Sequence, residues 1–263
     1  MRFARFLYQN EIHWGIVDHD QVQVLRGSPF ELWEVTNQRI PLSWVNLLPP
    51  CTPSKIVCVG LNYRDHAREL GMPLPEEPLL FLKPPSSVIG HGQKIIYPPE
   101  SNQVDYEAEL AVIIKEKISR ATEEEVKSKI LGYTCGNDVT AKDFQKKDGQ
   151  WTRAKSFDTF CPLGPFLAVD LDADDLRIEL KVNGEIRQQS STKEMIFPVP
   201  RLVSFISSVM TLYPGDVVMT GTPPGVGPLQ VGDVVSVEIE GIGILTNEVV
   251  AFGPPDGKAR PFS

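Results

Sequence analysis

Hydrophobic and polar residues alternate over much of the chain, and a period of two is typical of half-buried β-strands. Residues 1–25 have the spacing of two or three short strands, and residues 29–37 are predicted to add a short helix. Residues 41–53 are rich in proline and are interpreted as a linker. The pattern predicts a β-rich α+β chain, with a small N-terminal α+β domain over residues 1–52 and a larger domain over residues 53–263.

One predicted strand, residues 104–114, carries two acidic residues and is apolar on both faces beyond them. Glu107 and Glu109 are two residues apart, so their side chains share a face, roughly 6.5 Å apart along the strand. Apolar residues on both faces are typical of a strand that is covered on both sides. Because burying an uncompensated charge is costly, these carboxylates are expected to pair with cations or to bind a metal.

Asp138 offers a third oxygen ligand to the same site. It follows a predicted helix over residues 123–131 and a short strand over residues 132–136 that returns the chain. Three carboxylates without His or Cys suit a hard divalent ion, so Mg²⁺ or Mn²⁺ is favoured over zinc, and Ca²⁺ is a further hard ion that such a site accepts. Two alternatives stay open at this point: the Glu-x-Glu pair lies in water at an exposed strand end, and Asp138 caps a turn or a helix.

A short helix is predicted over residues 63–70, with Asn62 as its cap and Gly71 as its end. His66 and Glu69 are neighbours on one face of this helix, so the carboxylate can orient the imidazole and raise its basicity. The pair is a candidate general-base dyad, and the alternative is an exposed pair without function. A helix of about two turns is marginal in isolation, so we expect a mobile lid that orders over bound substrate.

Six short motifs follow one another in order. They are Val59-Gly60-Leu61-Asn62-Tyr63 with His66 and Glu69, Phe81-Leu82-Lys83-Pro84, Asp105-Tyr106-Glu107-Ala108-Glu109-Leu110, Gly136-Asn137-Asp138-Val139-Thr140-Ala141, Lys155-Ser156-Phe157-Asp158 and Thr220-Gly221-Thr222-Pro223. From about residue 53 onward the chain thereby resembles the fumarylacetoacetate hydrolase superfamily. It is most similar to short members that include acylpyruvate hydrolases, oxaloacetate decarboxylases and 2-hydroxyhepta-2,4-diene-1,7-dioate isomerases. The resemblance implies a mixed β-sandwich roll that holds the metal, usually in a homodimer, and a role in aromatic catabolism.

The resemblance also suggests roles for residues outside the acidic triad. The family lysine equivalent to Lys155 lies by the metal and the substrate oxygens, so we expect Lys155 to polarise the substrate or bind its carboxylate. Lys142 stands where the family usually has an arginine, and a point charge thus replaces a planar fork. The remaining expected substrate-binding residues are Lys83, Gln145, Thr220, Gly221 and Thr222. For the last three, an ordinary glycine turn is the alternative.

Composition narrows the class of partner. A formal net charge of −8 and a pI near 5.1 argue against nucleic acid or an anionic membrane as partner. The sequence shows no signal peptide and no apolar run of membrane-spanning length. The four cysteines show no C-x-x-C spacing, so we expect them to be reduced in a cytoplasmic protein.

The combined expectation is a Mg²⁺-dependent enzyme that acts on 2-oxo acids. In the preferred hypothesis, His66 oriented by Glu69 activates a water that attacks an acylpyruvate, and cleavage of the C–C bond leaves a pyruvate enolate stabilised by the metal and Lys155. Decarboxylation of oxaloacetate and isomerisation of a hydroxydienedioate use the same site and are the alternatives. A non-catalytic binding protein stabilised by the metal is the alternative from another class.

Overall fold

The computed structural model describes residues 1–253; residues 254–263 of the second predicted domain lie outside the described part. The strands are β1 (Arg2–Tyr8), β2 (Glu11–Asp18), β3 (Gln21–Gly27), β4 (Trp33–Pro41), β5 (Asn46–Leu47), β6 (Ile56–Val59), β7 (Leu80–Lys83), β8 (Val88–Ile89), β9 (Lys94–Tyr97), β10 (Val104–Tyr106), β11 (Ala108–Ile114), β12 (Ile130–Asn137), β13 (Thr140–Ala141), β14 (Cys161–Ala168), β15 (Arg177–Val182), β16 (Glu185–Ser191), β17 (Val217–Met219), β18 (Gly227–Pro228), β19 (Val234–Ile239) and β20 (Gly243–Ala251). The α-helices are α1 (Arg64–Leu70), α2 (Glu123–Lys127), α3 (Lys142–Asp148), α4 (Thr152–Lys155) and α5 (Val199–Val209). None of these helices is long and apolar enough to cross a membrane.

Three sheets organise the described chain. The largest has twelve strands in the order β4-β3-β2-β1-β14-β12-β11-β17-β6-β7, with β5 against β1 and β8 against β14. A second sheet has the order β16-β15-β19-β20-β9, and a third has the order β13-β10-β18. Most pairs are antiparallel, and the parallel pairs are β6 with β17, β8 with β14 and β9 with β20. The predicted β-rich α+β class is confirmed.

Strand β11 lies in the middle of the largest sheet, antiparallel to both β12 and β17, and all of its residues are buried. Its two faces pack into different hydrophobic clusters. Leu110, Val112 and Ile114 belong to one cluster, and Ala111 and Ile113 belong to the other. This confirms the prediction of a strand covered on both sides, and it means that acids at its start enter the interior.

The N-terminal segment differs from its prediction. A helix is predicted over residues 29–37, but most of this stretch belongs to β4, which pairs antiparallel with β3. The pairing sets Ile40 beside Val22, and both side chains are buried. Its β-branched and aromatic residues suit that packed position, so tertiary pairing decides the structure. Residues 1–52 thus contain strands and one 3-10 turn, Leu42–Trp44, instead of an α+β unit.

The turn signals correspond closely to the structure, but one predicted cap does not. Helix α1 begins at Arg64, one residue later than predicted, and Gly71 ends it in the left-handed region with φ of 64°. The prediction that Asn62 caps this helix is wrong: Tyr63 is the N-cap residue, and the Asn62 amide instead donates to the Thr220 carbonyl at 2.7 Å. Helix α2 is shorter than predicted, because the strand β12 already begins at Ile130. Asn183 and Gly184 join β15 to β16 with φ of 53° and 82°, as a type I′ hairpin turn requires.

Candidate active site

Three buried carboxylates meet at the start of β11. Glu107 lies between β10 and β11, Glu109 is the second residue of β11, and Asp138 directly follows β12. One oxygen atom from each carboxylate lies within 4.8 Å of the other two. The register of β11 and β12 sets Ala108 opposite Asn137, which brings Asp138 beside the two glutamates. The structure therefore brings the three predicted metal ligands together.

Lysine side chains pair with two carboxylates of this triad, Glu107 and Asp138, and within residues 1–253 none pairs with Glu109. Lys155 Nζ lies 2.9 Å from Glu107 Oε2 and 2.6 Å from Asp138 Oδ2. Burial opposes the ammonium form, but the charges of Asp138 and Glu107 outweigh it, so the pKa of Lys155 lies above its usual range. Burial and the charges of Asp138 and Glu107 raise the pKa of Glu109 well above its usual range. Because a nearby cation favours the ionised form of such a group, the three residues fit a hard divalent ion.

Lys83 lies behind the triad. Its Nζ donates to Asp138 Oδ1 at 2.5 Å and to the Val139 carbonyl at 3.0 Å, and its side chain is fully buried. Burial would raise the pKa of Asp138, but the charges of Lys155 and Lys83 outweigh burial and lower that pKa. The expectation that Lys83 binds substrate is corrected, since its ammonium group is enclosed by the protein and holds the Asp138 carboxylate.

Helix α1 carries the predicted dyad. His66 Nδ1 lies 2.8 Å from Glu69 Oε2, and Glu69 Oε1 accepts the backbone N–H of Gly225 at 3.0 Å. A carboxylate only accepts hydrogen bonds, so Nδ1 of the neutral ring carries the proton and Nε2 is left as the basic nitrogen. His66 lines the same cleft as Glu107 and Glu109. The pair has the geometry of an oriented general base.

Several contacts hold α1 against the rest of the protein. Arg64 donates to the carbonyl of Met195 at 2.6 Å, and the Ser190 hydroxyl donates to the Asp65 carboxylate. Ala67 is buried beneath the helix. The predicted lid is therefore docked in this structure, and its mobility stays a prediction.

His66 of the dyad and two of the triad acids, Glu107 and Glu109, line one cleft of about 350 Å³. The predicted residues Lys142 and Gln145 also line it, and Lys142 Nζ lies 3.5 Å from Glu107 Oε1. Sequence reasoning missed Lys146, although its spacing of four from Lys142 sets both lysines on one face of α3. It also missed an apolar wall, which consists of Val59, Leu61, Leu70, Met72, Leu79, Phe81 and Trp151.

The Thr220-Gly221-Thr222 turn divides its contacts between the core and the cleft. The Thr220 hydroxyl is buried and donates to the Leu110 carbonyl at 2.8 Å. The Gly221 N–H donates to Glu109 Oε2 at 2.8 Å, while Thr222 lines the cleft. The expectation that all three bind substrate is corrected for Thr220 and Gly221, because they instead hold β11 and its acidic residue.

Comparison with known proteins extends these observations. Residues 55–250 match the family model described as Fumarylacetoacetate (FAA) hydrolase C-terminal, and residues 1–50 match Rv2993c-like, N-terminal. The chain is 45% identical over 223 residues to oxaloacetate tautomerase Fahd2a, mitochondrial, of Rattus norvegicus, which covers 80% of this chain and 71% of that protein.

Two solved structures are similar over nearly the whole chain. A 5-carboxymethyl-2-hydroxymuconate delta-isomerase from Mycobacterium smegmatis is 43% identical with a TM-score of 0.90, over 95% of this chain and 100% of that one. A maleylpyruvate hydrolase from Sphingobium sp. SYK-6, in complex with manganese(II) and pyruvate, is 29% identical with a TM-score of 0.81, over 95% and 99%. These likenesses confirm the predicted fold, the mixed β-sandwich roll. The chain belongs to the fumarylacetoacetate hydrolase family, whose members are enzymes.

Proposed function

We propose that the protein is a metal-dependent enzyme that transfers a proton at the carbon next to the oxo group of a 2-oxo acid. Tautomerisation of oxaloacetate and isomerisation of an unsaturated 2-hydroxy acid are reactions of this class. The observation that carries the proposal is a carboxylate-oriented imidazole in the same cleft as Glu107 and Glu109, two members of the buried acidic triad. The names of the rat tautomerase and the mycobacterial isomerase support it.

The chain's own residues supply the base and its orientation. A divalent ion held by Glu107, Glu109 and Asp138 would act as a Lewis acid that makes the carbon next to the oxo group more acidic. His66 Nε2 accepts the proton from that carbon, the C–H electron pair becomes the C=C bond, and the carbonyl pair moves onto oxygen. Glu69 stabilises the resulting imidazolium. The oxygen takes a proton from solvent and the imidazolium of His66 releases its proton to solvent, which completes the enol and restores the base. The reverse steps regenerate the oxo form.

The charge of the cleft suits an anionic substrate. Lys155 donates to Glu107 and Asp138, and within the described residues its third N–H has no hydrogen-bond acceptor, so it is available to a substrate oxygen. Lys142 and Lys146 add two further ammonium groups to the lining. These cations stabilise negative charge that develops on the substrate oxygen during proton transfer.

Hydrolysis of an acylpyruvate, the first choice from the sequence, becomes the second candidate. His66 Nε2 takes a proton from water, hydroxide adds to the distal carbonyl, and the C–C bond breaks with its electron pair on the pyruvate part. The apolar wall around Leu70, Met72 and Leu79 favours this candidate because it suits an acyl chain. The maleylpyruvate hydrolase is 29% identical and a fumarylacetoacetate hydrolase of known structure is 37% identical, against 43% and 45% for the isomerase and the tautomerase. This order gives proton transfer priority.

Side-by-side assays distinguish the candidates. The substrates are the enol form of oxaloacetate, its oxo form, acetylpyruvate and a hydroxydienedioate, each with Mg²⁺, with Mn²⁺ and with EDTA. Proton transfer predicts metal-dependent loss of the enol or dienol absorbance without release of pyruvate or CO₂. Acetate and pyruvate formed from acetylpyruvate would select hydrolysis, and CO₂ from oxaloacetate would select decarboxylation. Metal binding without any turnover would contradict the proposal and favour the non-catalytic binding protein.

A further inference from the structure

Gln188 is a fully buried amide where β16 meets the cleft. Its Oε1 accepts the backbone N–H of Ala108 at 2.8 Å. Its Nε2 donates to Thr222 Oγ1 at 2.9 Å and to the Pro223 carbonyl at 2.7 Å. One side chain thus connects three segments: β16, the start of β11 and the turn that follows β17.

The orientation of this amide is determined from both ends. The Ala108 N–H can only donate and the Pro223 carbonyl can only accept, so the amide oxygen must face Ala108 and the nitrogen must face Pro223. Thr222 Oγ1 therefore receives an N–H from Gln188. A hydroxyl that accepts in this direction keeps its own hydrogen for a different acceptor.

The Thr222 hydrogen is available to a ligand. Thr222 lines the cleft beside Glu107 and Glu109. Its hydroxyl donates to no acceptor within residues 1–253. Since Gln188 occupies the acceptor side of Oγ1, the O–H is left to donate to a group in the cleft.

We propose that Gln188 is a positioning residue that makes the Thr222 hydroxyl a dedicated hydrogen-bond donor to an oxygen of the 2-oxo acid. The inference rests on the proposed function, since it requires an anionic substrate in the cleft. A donor that is oriented before binding does not have to reorganise when the substrate arrives. The same amide holds Ala108, the residue between Glu107 and Glu109, so one side chain positions both the donor and the strand that carries the acids.

Reversing the amide tests this role. Gln188→Glu presents a carboxylate oxygen to Thr222 Oγ1, so the hydroxyl donates to Glu at that position and is withdrawn from the cleft. With oxalate and Mg²⁺ as the probe, we expect a Kd about tenfold higher, the value of one hydrogen bond to a charged group. Thr222→Val removes the hydroxyl and should weaken oxalate binding equally, and the double variant should bind no more weakly than Thr222→Val. Effects that multiply in the double variant would overturn the inference, because Gln188 would then act independently of Thr222.

A second substitution avoids a buried charge. Gln188→Met removes both donated hydrogen bonds, and the one accepted from the Ala108 N–H, at similar side-chain volume. It should weaken oxalate binding more in the wild-type background than in the Thr222→Val background, where only the loss of the Ala108 contact remains. An equal loss in both backgrounds contradicts the inference. Thr222→Ser retains the hydroxyl and should bind oxalate like the wild type.

Matched controls separate this test from the test of the reaction. Gln93→Glu makes the same charge change at an exposed amide outside the cleft, and should leave oxalate binding and turnover unchanged. Wild-type protein that binds oxalate but converts none of the four substrates contradicts the proposed function, while the binding cycle still tests Gln188. Wild-type protein that binds no oxalate overturns the inference.

Discussion

Replacing Lys83 by methionine should destabilise the protein through the carboxylate that it leaves behind. Lys83 and Asp138 are both fully buried, and Nζ donates to Oδ1 at 2.5 Å and to the Val139 carbonyl at 3.0 Å. Removing one partner of a buried ion pair costs roughly 3–5 kcal/mol, because the remaining charge is uncompensated. Lys155 still contacts Asp138 at 2.6 Å in the variant, so we expect the lower end of that range, about 3 kcal/mol.

Urea unfolding followed by circular dichroism measures this loss, with EDTA present so that no added metal replaces the missing cation. Lys94→Met is the matched control, since it breaks a Lys–Glu pair with Glu248 in which the side chains are 51% and 44% exposed. Exposed pairs contribute about 0–1 kcal/mol. If Lys83→Met lowered the free energy of unfolding no more than Lys94→Met, the reasoning that Lys83 compensates Asp138 would be refuted.

Three further predictions concern the dyad and a buried turn. Glu69→Gln should lower kcat roughly a hundredfold with little change in the unfolding free energy, because the amide does not stabilise the imidazolium of His66. Gly225 has φ of 94°, and a Cβ there would lie 2.1 Å from a facing backbone carbonyl, so Gly225→Ala should displace the Glu69 support and lower the unfolding free energy by about 1–3 kcal/mol in thermal melts. Burial opposes ionisation of Asp216, but hydrogen bonds from the side chains of Lys55 and Ser54 and from the Tyr213 N–H outweigh burial and lower the pKa of Asp216 below 3.8. Its stabilisation is therefore present above about pH 4 and lost as pH falls through the lower folded pKa, and Asp216→Asn should remove this part of the acid dependence of unfolding.

The acidic triad could be predicted from the sequence, because strand periodicity and the order of the motifs indicate the same residues. Glu107 and Glu109 are two apart at the start of an apolar strand, and burial of that strand on both faces follows directly from its composition. The His66 and Glu69 pair was predictable from helical spacing. By contrast, the strand over residues 33–41 depends on pairing with β3, a tertiary contact that overrides local preference.

The sequence alone could not show which polar side chains face the cleft. Lys83 is in a motif and looked like a ligand for substrate, but the path of β7 sets its ammonium group behind Asp138. Gln188 lies 80 residues from Ala108, and only the folded chain reveals that one amide joins β16 to the acidic strand. Such contacts depend on the packing of one sheet against another, which short-range patterns do not encode.

We propose that His66 is the base for a proton transfer beside the acidic triad. The turnover of enol oxaloacetate by His66→Ala with Mg²⁺ tests this role, together with Mn²⁺ binding and urea unfolding of the same variant. We expect a kcat at least about a hundredfold below wild type, with metal affinity and unfolding free energy unchanged. Wild-type turnover in His66→Ala would contradict it.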